Sequence, residues 1–160
     1  MNTEEKVILA IRVRGSVRVG PEIQQTLKDL KLARLHQARI IKMTPSLAGM
    51  VNHGKDFITW GEIDEHTAIL LLTKRGRLSQ NRRLTDEYVR KNSSHKSIAS
   101  FAKALVAGSA SLADVEGLKP VFRLTPPAGG YHGVKRFPVT MGGITGYRGP
   151  DINLLAKKMM

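Results

Sequence analysis

VILAIRVRGSVRVGPEI, residues 7–23, holds the first decision about the fold. Val7, Leu9, Ile11 and Val13 fall on one side of an alternating pattern and Arg12 and Arg14 on the other. That is the period-2 signature of a strand with one face on a core and one face in solvent. The turn GSVRVG follows. Pro21 then suits a first helical position, because its ring presets φ and its missing N–H would have had no partner there. Glu22 adds a negative charge where the helix dipole favours one. Ile23, Leu27 and Leu30 recur at helical spacing.

Working outward, HQARIIKM (residues 36–43) reads as a second strand, and Thr44-Pro45 repeats the arrangement of N-cap and proline before a helix carrying Leu47, Met50 and Val51. Asn52-His53-Gly54 ends that helix, and FITWGEI (residues 57–63) is a third strand rich in β-formers. The order β-α-β-α-β within about 60 residues predicts an α+β fold, a small ferredoxin-like sandwich with helices on one sheet face. Residues 1–63 are expected to form this core domain and to fold alone, though marginally.

Residues 64–160 differ in texture and are expected to form a mainly helical extension that ends in an irregular arm. Asp64 can cap a helix through AILLL, which Gly76 stops. GRLSQNRRL then reads as an uncapped basic loop. Thr85-Asp86-Glu87 marks another helix start, SIASFAKALVAG a further helix, and PVFRL a short strand. PPAGGYHGVKRFPVTMGGITGYRG, residues 126–149, contains seven glycines, three prolines, three cations and no acid. Such a segment suits neither helix nor core, and in the free protein it is expected to be an arm that gains its structure from RNA.

Charge narrows the function. Lys plus Arg number 26 against 13 Asp plus Glu, a net +13 with a pI near 10.4, which implies a polyanionic partner. A membrane partner would call for a long apolar run or a basic helix with bulky anchors, and neither is visible. MNTEEK puts acids ahead of the first strand, unlike a secretory leader, so an intracellular protein is expected. With no cysteine there are no disulfides, thiolate metal sites or Cys nucleophiles. Five cations crowd between Lys74 and Arg83, and residues 66–85 contain no acid. Their mutual repulsion favours phosphate as the counter-charge. Tyr131, Phe137 and Tyr147 interleave with Lys135, Arg136 and Arg148 in the glycine-rich segment, where flat rings beside cations suit unpaired bases.

Catalytic readings find little support. His36, His53, His66, His95 and His132 have no chelating spacing. Gly15 to Gly20 matches a phosphate-loop spacing, but Pro21-Glu22 stands where that loop needs Lys and Ser/Thr. Glu62, Asp64 and Glu65 straddle a strand end and a helix start, where capping accounts for them. GSVRVG is faintly similar to the acylphosphatase loop, yet the phosphate-binding Arg that follows it in that family is replaced here by Pro21 and Glu22.

The stretch VRGSVRVGPEIQQTLKDLKLARLHQARIIKMTPSLAGMVN resembles the universal large-subunit ribosomal protein thirty family, through its Pro-started helix with Thr26-Leu27, its Thr44-Pro45 and its Gly49-Met50. DEHTAILLLTKRGRLSQNRRLTDEYV and the closing GGYHG, VKRF and GYRG elements are similar to the longer archaeal and eukaryotic members, numbered seven in eukaryotes. Lacking a long basic N-terminal arm, the chain looks archaeal-type. The resemblance implies a cytoplasmic, structural protein of the large ribosomal subunit, bound to large-subunit rRNA near its five-S region and beside neighbouring ribosomal proteins. It implies no catalysis, cofactor, metal, small-molecule substrate or membrane. A free-standing RNA-binding or RNA-remodelling protein is the alternative, and a small phosphate-handling enzyme a more distant one. The residues expected to meet RNA are Arg12, Arg14, Arg18 and Arg34 around the first strand and helix, Lys74, Arg75, Arg77, Arg82 and Arg83 in the basic loop, and Tyr131, His132, Lys135, Arg136, Tyr147 and Arg148 in the arm.

Overall fold

The computed structural model describes residues 6–160; the N-terminal acids Glu4 and Glu5 lie outside them. Strand β1 (Val7–Arg12) leads through the GSVRVG turn to α1 (Pro21–Asp29), β2 (Gln37–Lys42), α2 (Pro45–His53) and β3 (Ile58–Glu62). The expected β-α-β-α-β order is therefore present. Its punctuation is also as read: Pro21 occupies the first turn of α1, and the Thr44 hydroxyl accepts the Leu47 N–H at the start of α2. Beyond them come α3 (Glu65–Arg75), α4 (Asp86–Asn92), α5 (Ile98–Val106), β4 (Phe122–Arg123), β5 (Val134–Pro138), β6 (Gly143–Tyr147) and α6 (Ile152–Met159). Asp64, Thr85 and Ser97 cap α3, α4 and α5 by accepting the N–H of Thr67, Tyr88 and Ser100. Each N-cap satisfies a donor that the first helical turn leaves without a partner. Among the described residues no helix is long and apolar enough to cross a membrane.

The architecture is a mixed α+β sandwich around one six-stranded sheet in the order β4-β2-β1-β3-β6-β5. β1 lies between β2 and β3, antiparallel to both, with Leu9 opposite Ile40 and Gly61. The remaining strands come from beyond residue 63: β4 adds to β2, and β6 lies parallel to β3 with Trp60 opposite Tyr147. The sheet thus runs continuously across residue 63.

Both faces of β1 are covered, a correction to the half-solvated strand read from its alternation. All six of its residues are buried. Ile8 and Ala10 pack with Leu27, Leu30, Leu32, Val51 and Ile58 beneath α1 and α2. Leu9, Ile11 and Val13 instead join Leu71, Leu72, Phe101, Leu105, Phe122, Ile144 and Ile152, contributed by α3, α5, α6 and the later strands. Helices α1 and α2 therefore cover the face that carries Arg12, and the extension covers the other. Burying a side chain of the size of Leu or Ile is worth about 1.5–3 kcal/mol, so the second face is as much a part of the core as the first.

The glycine-rich segment is only partly irregular. Its second half enters the sheet as β6, buried from Gly143 to Gly146, with Ile144 fully enclosed. Two glycines are required by close backbone approach. A Cβ on Gly143 would overlap the Phe137 carbonyl of the adjoining β5, and one on Gly61 the Gly149 carbonyl ahead of α6. β5 itself is an exposed edge strand carrying Lys135 and Arg136.

Candidate nucleic-acid interface

Asn153 fixes the direction of two helices. Its side chain accepts the Asp64 N–H at 3.0 Å and donates to the Glu62 carbonyl at 3.0 Å, so α3 and α6 both begin beside the C-terminal end of β3. Both run back toward the opposite end of the sheet, where Arg75 donates to the Met160 carbonyl at 2.7 Å. There Thr125 N–H meets the Met159 carbonyl at 2.9 Å and Leu124 N–H the His36 carbonyl at 3.0 Å, which ties these helix ends to the start of β2. The basic C-terminal turn of α3 and the loops that precede β2 and β3 consequently share one end of the molecule.

That end gathers cations from distant parts of the sequence. Arg14 lines one cleft together with Lys135 of β5, Arg34 lines another with Arg123, and Arg18 is exposed in the turn after β1. Lys74, Arg75 and Arg77 stand at the end of α3, and Arg82 and Arg83 continue from it. Lys135, Arg136 and His132 are exposed on the arm. Arg123 was missed by the sequence reading, although PVFRL alternates and its neighbours Phe122 and Leu124 are buried, which turns Arg123 outward.

The basic loop is more ordered than an uncapped loop. Arg77 and Arg83 form a β-bridge, Leu78 N–H donates to the Arg82 carbonyl at 2.8 Å, and Leu78 and Leu84 are buried. Gln80 and Asn81 turn its tip with φ of 60° and 61°. Arg82 and Arg83 are thus held exposed on a closed turn.

Arg14, Arg75 and Arg77 each donate to a backbone carbonyl, and four further expected contacts are engaged within the protein. Arg12 is 2% exposed, and its guanidinium donates to the carbonyls of Arg14, Leu32 and Ala33 and to the Ser16 hydroxyl. Burial lowers its pKa, and no donor-rich face is left for a phosphate, so Arg12 is corrected from a contact to an internal brace. Tyr131 stacks on His36 with ring centroids 6.1 Å apart, and its hydroxyl lies 3.0 Å from His36 Nδ1. Burial pushes the Tyr131 phenol up to about 12, and burial followed by repulsion from Lys135 lowers the His36 pKa. Arg148 is half-buried and donates to the Ile144 carbonyl at 3.1 Å, with its pKa lowered by that burial. Tyr147 lies at the far end of β3, where its hydroxyl donates to the Glu62 carboxylate at 2.8 Å. That bond raises its pKa. Among the described residues no three of His, Asp and Glu gather as a metal site.

Comparison with known proteins gives the family of the chain. The family model for ribosomal protein L30p/L7e matches residues 8–58. Over 96% of this chain and the whole of the relative, 46% of residues are identical to the large ribosomal subunit protein uL30 of Methanobrevibacter smithii. The chain belongs to the ribosomal protein L30p/L7e family. The protein of the same name from Archaeoglobus fulgidus is 47% identical over 93% of this chain and 97% of its own length, and that of Thermofilum pendens 42% over 95% and 97%. L30p/L7e proteins are structural components of the ribosome and not enzymes, and these relatives are archaeal.

Proposed function

We propose that this protein is a structural constituent of the large ribosomal subunit in the cytoplasm, and that it stabilises folded large-subunit rRNA with the basic end of its sheet. One observation carries the reading: in a member of a ribosomal family, Arg14, Arg34, Lys74, Arg82, Arg83 and Lys135 come from separate segments yet lie toward the same end. The folded sandwich sets the positions from which these side chains reach, and phosphates relieve their repulsion. The five-S region and adjacent ribosomal proteins are the expected neighbours.

The protein should co-sediment with large subunits through a salt wash that strips loosely bound factors. With about six to eight phosphates contacted, affinity for deproteinised large-subunit rRNA should fall on the order of a thousandfold between low and physiological salt. An affinity that barely changes with salt, or a protein left at the top of the gradient, would refute the proposal.

A further inference from the structure

The basic end also carries an open apolar cleft, which phosphate neutralisation does not require. Val17 is 87% exposed and Leu35 45%, two aliphatic side chains held in water outside either core cluster. With Phe57 they line a cleft of about 260 Å³ whose lining includes Arg14 and Lys135 and no carboxylate. The Arg14 guanidinium lies 4.8 Å from the Phe57 ring centroid and donates to the Asp56 carbonyl at 3.0 Å. The cation thus sits over the ring as part of the cleft wall, and a guanidinium plane is a surface on which a flat group can stack.

The walls are braced from within. Buried Arg12 bonds the Arg14 carbonyl and the Ser16 hydroxyl in the loop that carries Val17, and also the Leu32 and Ala33 carbonyls in the loop that carries Leu35. The N–H groups of Val13 and Arg14 both reach the Phe57 carbonyl, at 3.0 and 3.2 Å, which ties the third wall to the first. A cleft assembled from three loops and held by a buried cation is set before any ligand arrives, which lowers the ordering cost of filling it.

We infer that this cleft receives one unstacked base of the large-subunit rRNA, laid against Arg14 and between Val17 and Leu35, while Lys135 meets an adjoining phosphate. The inference rests on the rRNA reading above and adds a base contact to it. An apolar slot matches the face of a base, and a cationic rim without acids matches the backbone that carries it. An aliphatic side chain from a neighbouring protein would leave that rim unused.

The test uses the full chain and deproteinised large-subunit rRNA. The double variant Val17→Ser/Leu35→Ser removes the apolar walls and keeps every cation; both positions are exposed, so its thermal transition should match that of the parent. Its affinity should fall about tenfold, the scale of one lost base stack, with an unchanged slope of log affinity against log salt. Lys135→Ala should instead reduce that slope by about one. In reconstituted large subunits, ultraviolet crosslinking should join the peptide containing Leu35 or Phe57 to a base that is unpaired. Parental affinity in the double variant, an altered salt slope, or a crosslink from these positions to another protein would overturn the base cleft and leave the rRNA reading standing. Parental protein that binds this rRNA no better than heparin would overturn both.

Discussion

Arg12 offers the sharpest test of how the basic end is held together. Replacing it with Met keeps a long side chain and most of its packing but removes every donor. The guanidinium supplies bonds of 2.9 Å to Arg14 O, 2.9 Å to Leu32 O, 2.6 Å to Ala33 O and 2.9 Å to Ser16 Oγ. Only the bond to Leu32 is fully buried, and leaving that carbonyl unpaired costs about 1–3 kcal/mol. The other three acceptors can recover water and should cost about 0.5–1 kcal/mol each. Against these losses stands the relief of a desolvated cation, which buried ion pairs show can offset much of the gain. A net destabilisation of about 2 kcal/mol follows, equivalent to a fall of about 4–8 °C in Tm for a chain of this size. Arg12→Lys should not rescue it, because one ammonium cannot span acceptors in two loops as a planar fork does. Thermal unfolding measures the first effect. Amide hydrogen exchange should be faster at residues 14–18 and 33–36 while the helices α3 and α5 remain protected. A Met variant with parental Tm and parental exchange in those loops would refute the bracing role.

A fragment of residues 1–63 would expose Leu9, Ile11 and Val13 to water, so calorimetry should find no cooperative transition; a sharp one would show that the first three strands hold a sufficient core. Limited proteolysis of the free protein should cut quickly after Lys135 and Arg136 on exposed β5 and slowly after half-buried Arg148, whereas equally fast cleavage at all three would mean that β6 is not docked. Because the folded-state pKa of His36 is lowered below its unfolded value near 6.5, the unfolded chain takes up the proton first, and stability should fall as pH drops from about 7 to 5. His36→Gln should flatten that part of the pH profile in urea denaturation, and an identical profile would contradict the assignment. Arg82→Ala/Arg83→Ala should lower the salt slope of rRNA binding by about two without changing the circular dichroism, since both side chains project from a turn anchored by Leu78 and Leu84.

What was legible in the sequence is what neighbours along the chain decide. Thr44, Asp64, Thr85 and Ser97 each stand at a helix start, where a cap acts on N–H groups two or three residues away, and Pro21 marks the start of α1 through its own preset φ. The first three strands were visible through alternation and β-forming residues, and the ribosomal family through motifs of short span. What tertiary structure decided is everything that joins distant segments. The alternation in VILAIRVR is a true strand pattern, but whether its Arg face meets water depends on where α1 and α2 dock, and they dock on that face and enclose Arg12. GITGY has few side chains to announce a strand; it becomes β6 because glycines let its backbone lie against Phe137 and pair with β3, a partner more than eighty residues earlier. The charge clusters were readable one by one, while their meeting at a single end follows from Asn153 starting α3 and α6 together and Arg75 closing on the Met160 carbonyl. Short-range steric and hydrogen-bonding rules are written in local sequence, and the packing of one face against another appears only when the whole chain has collapsed around its sheet.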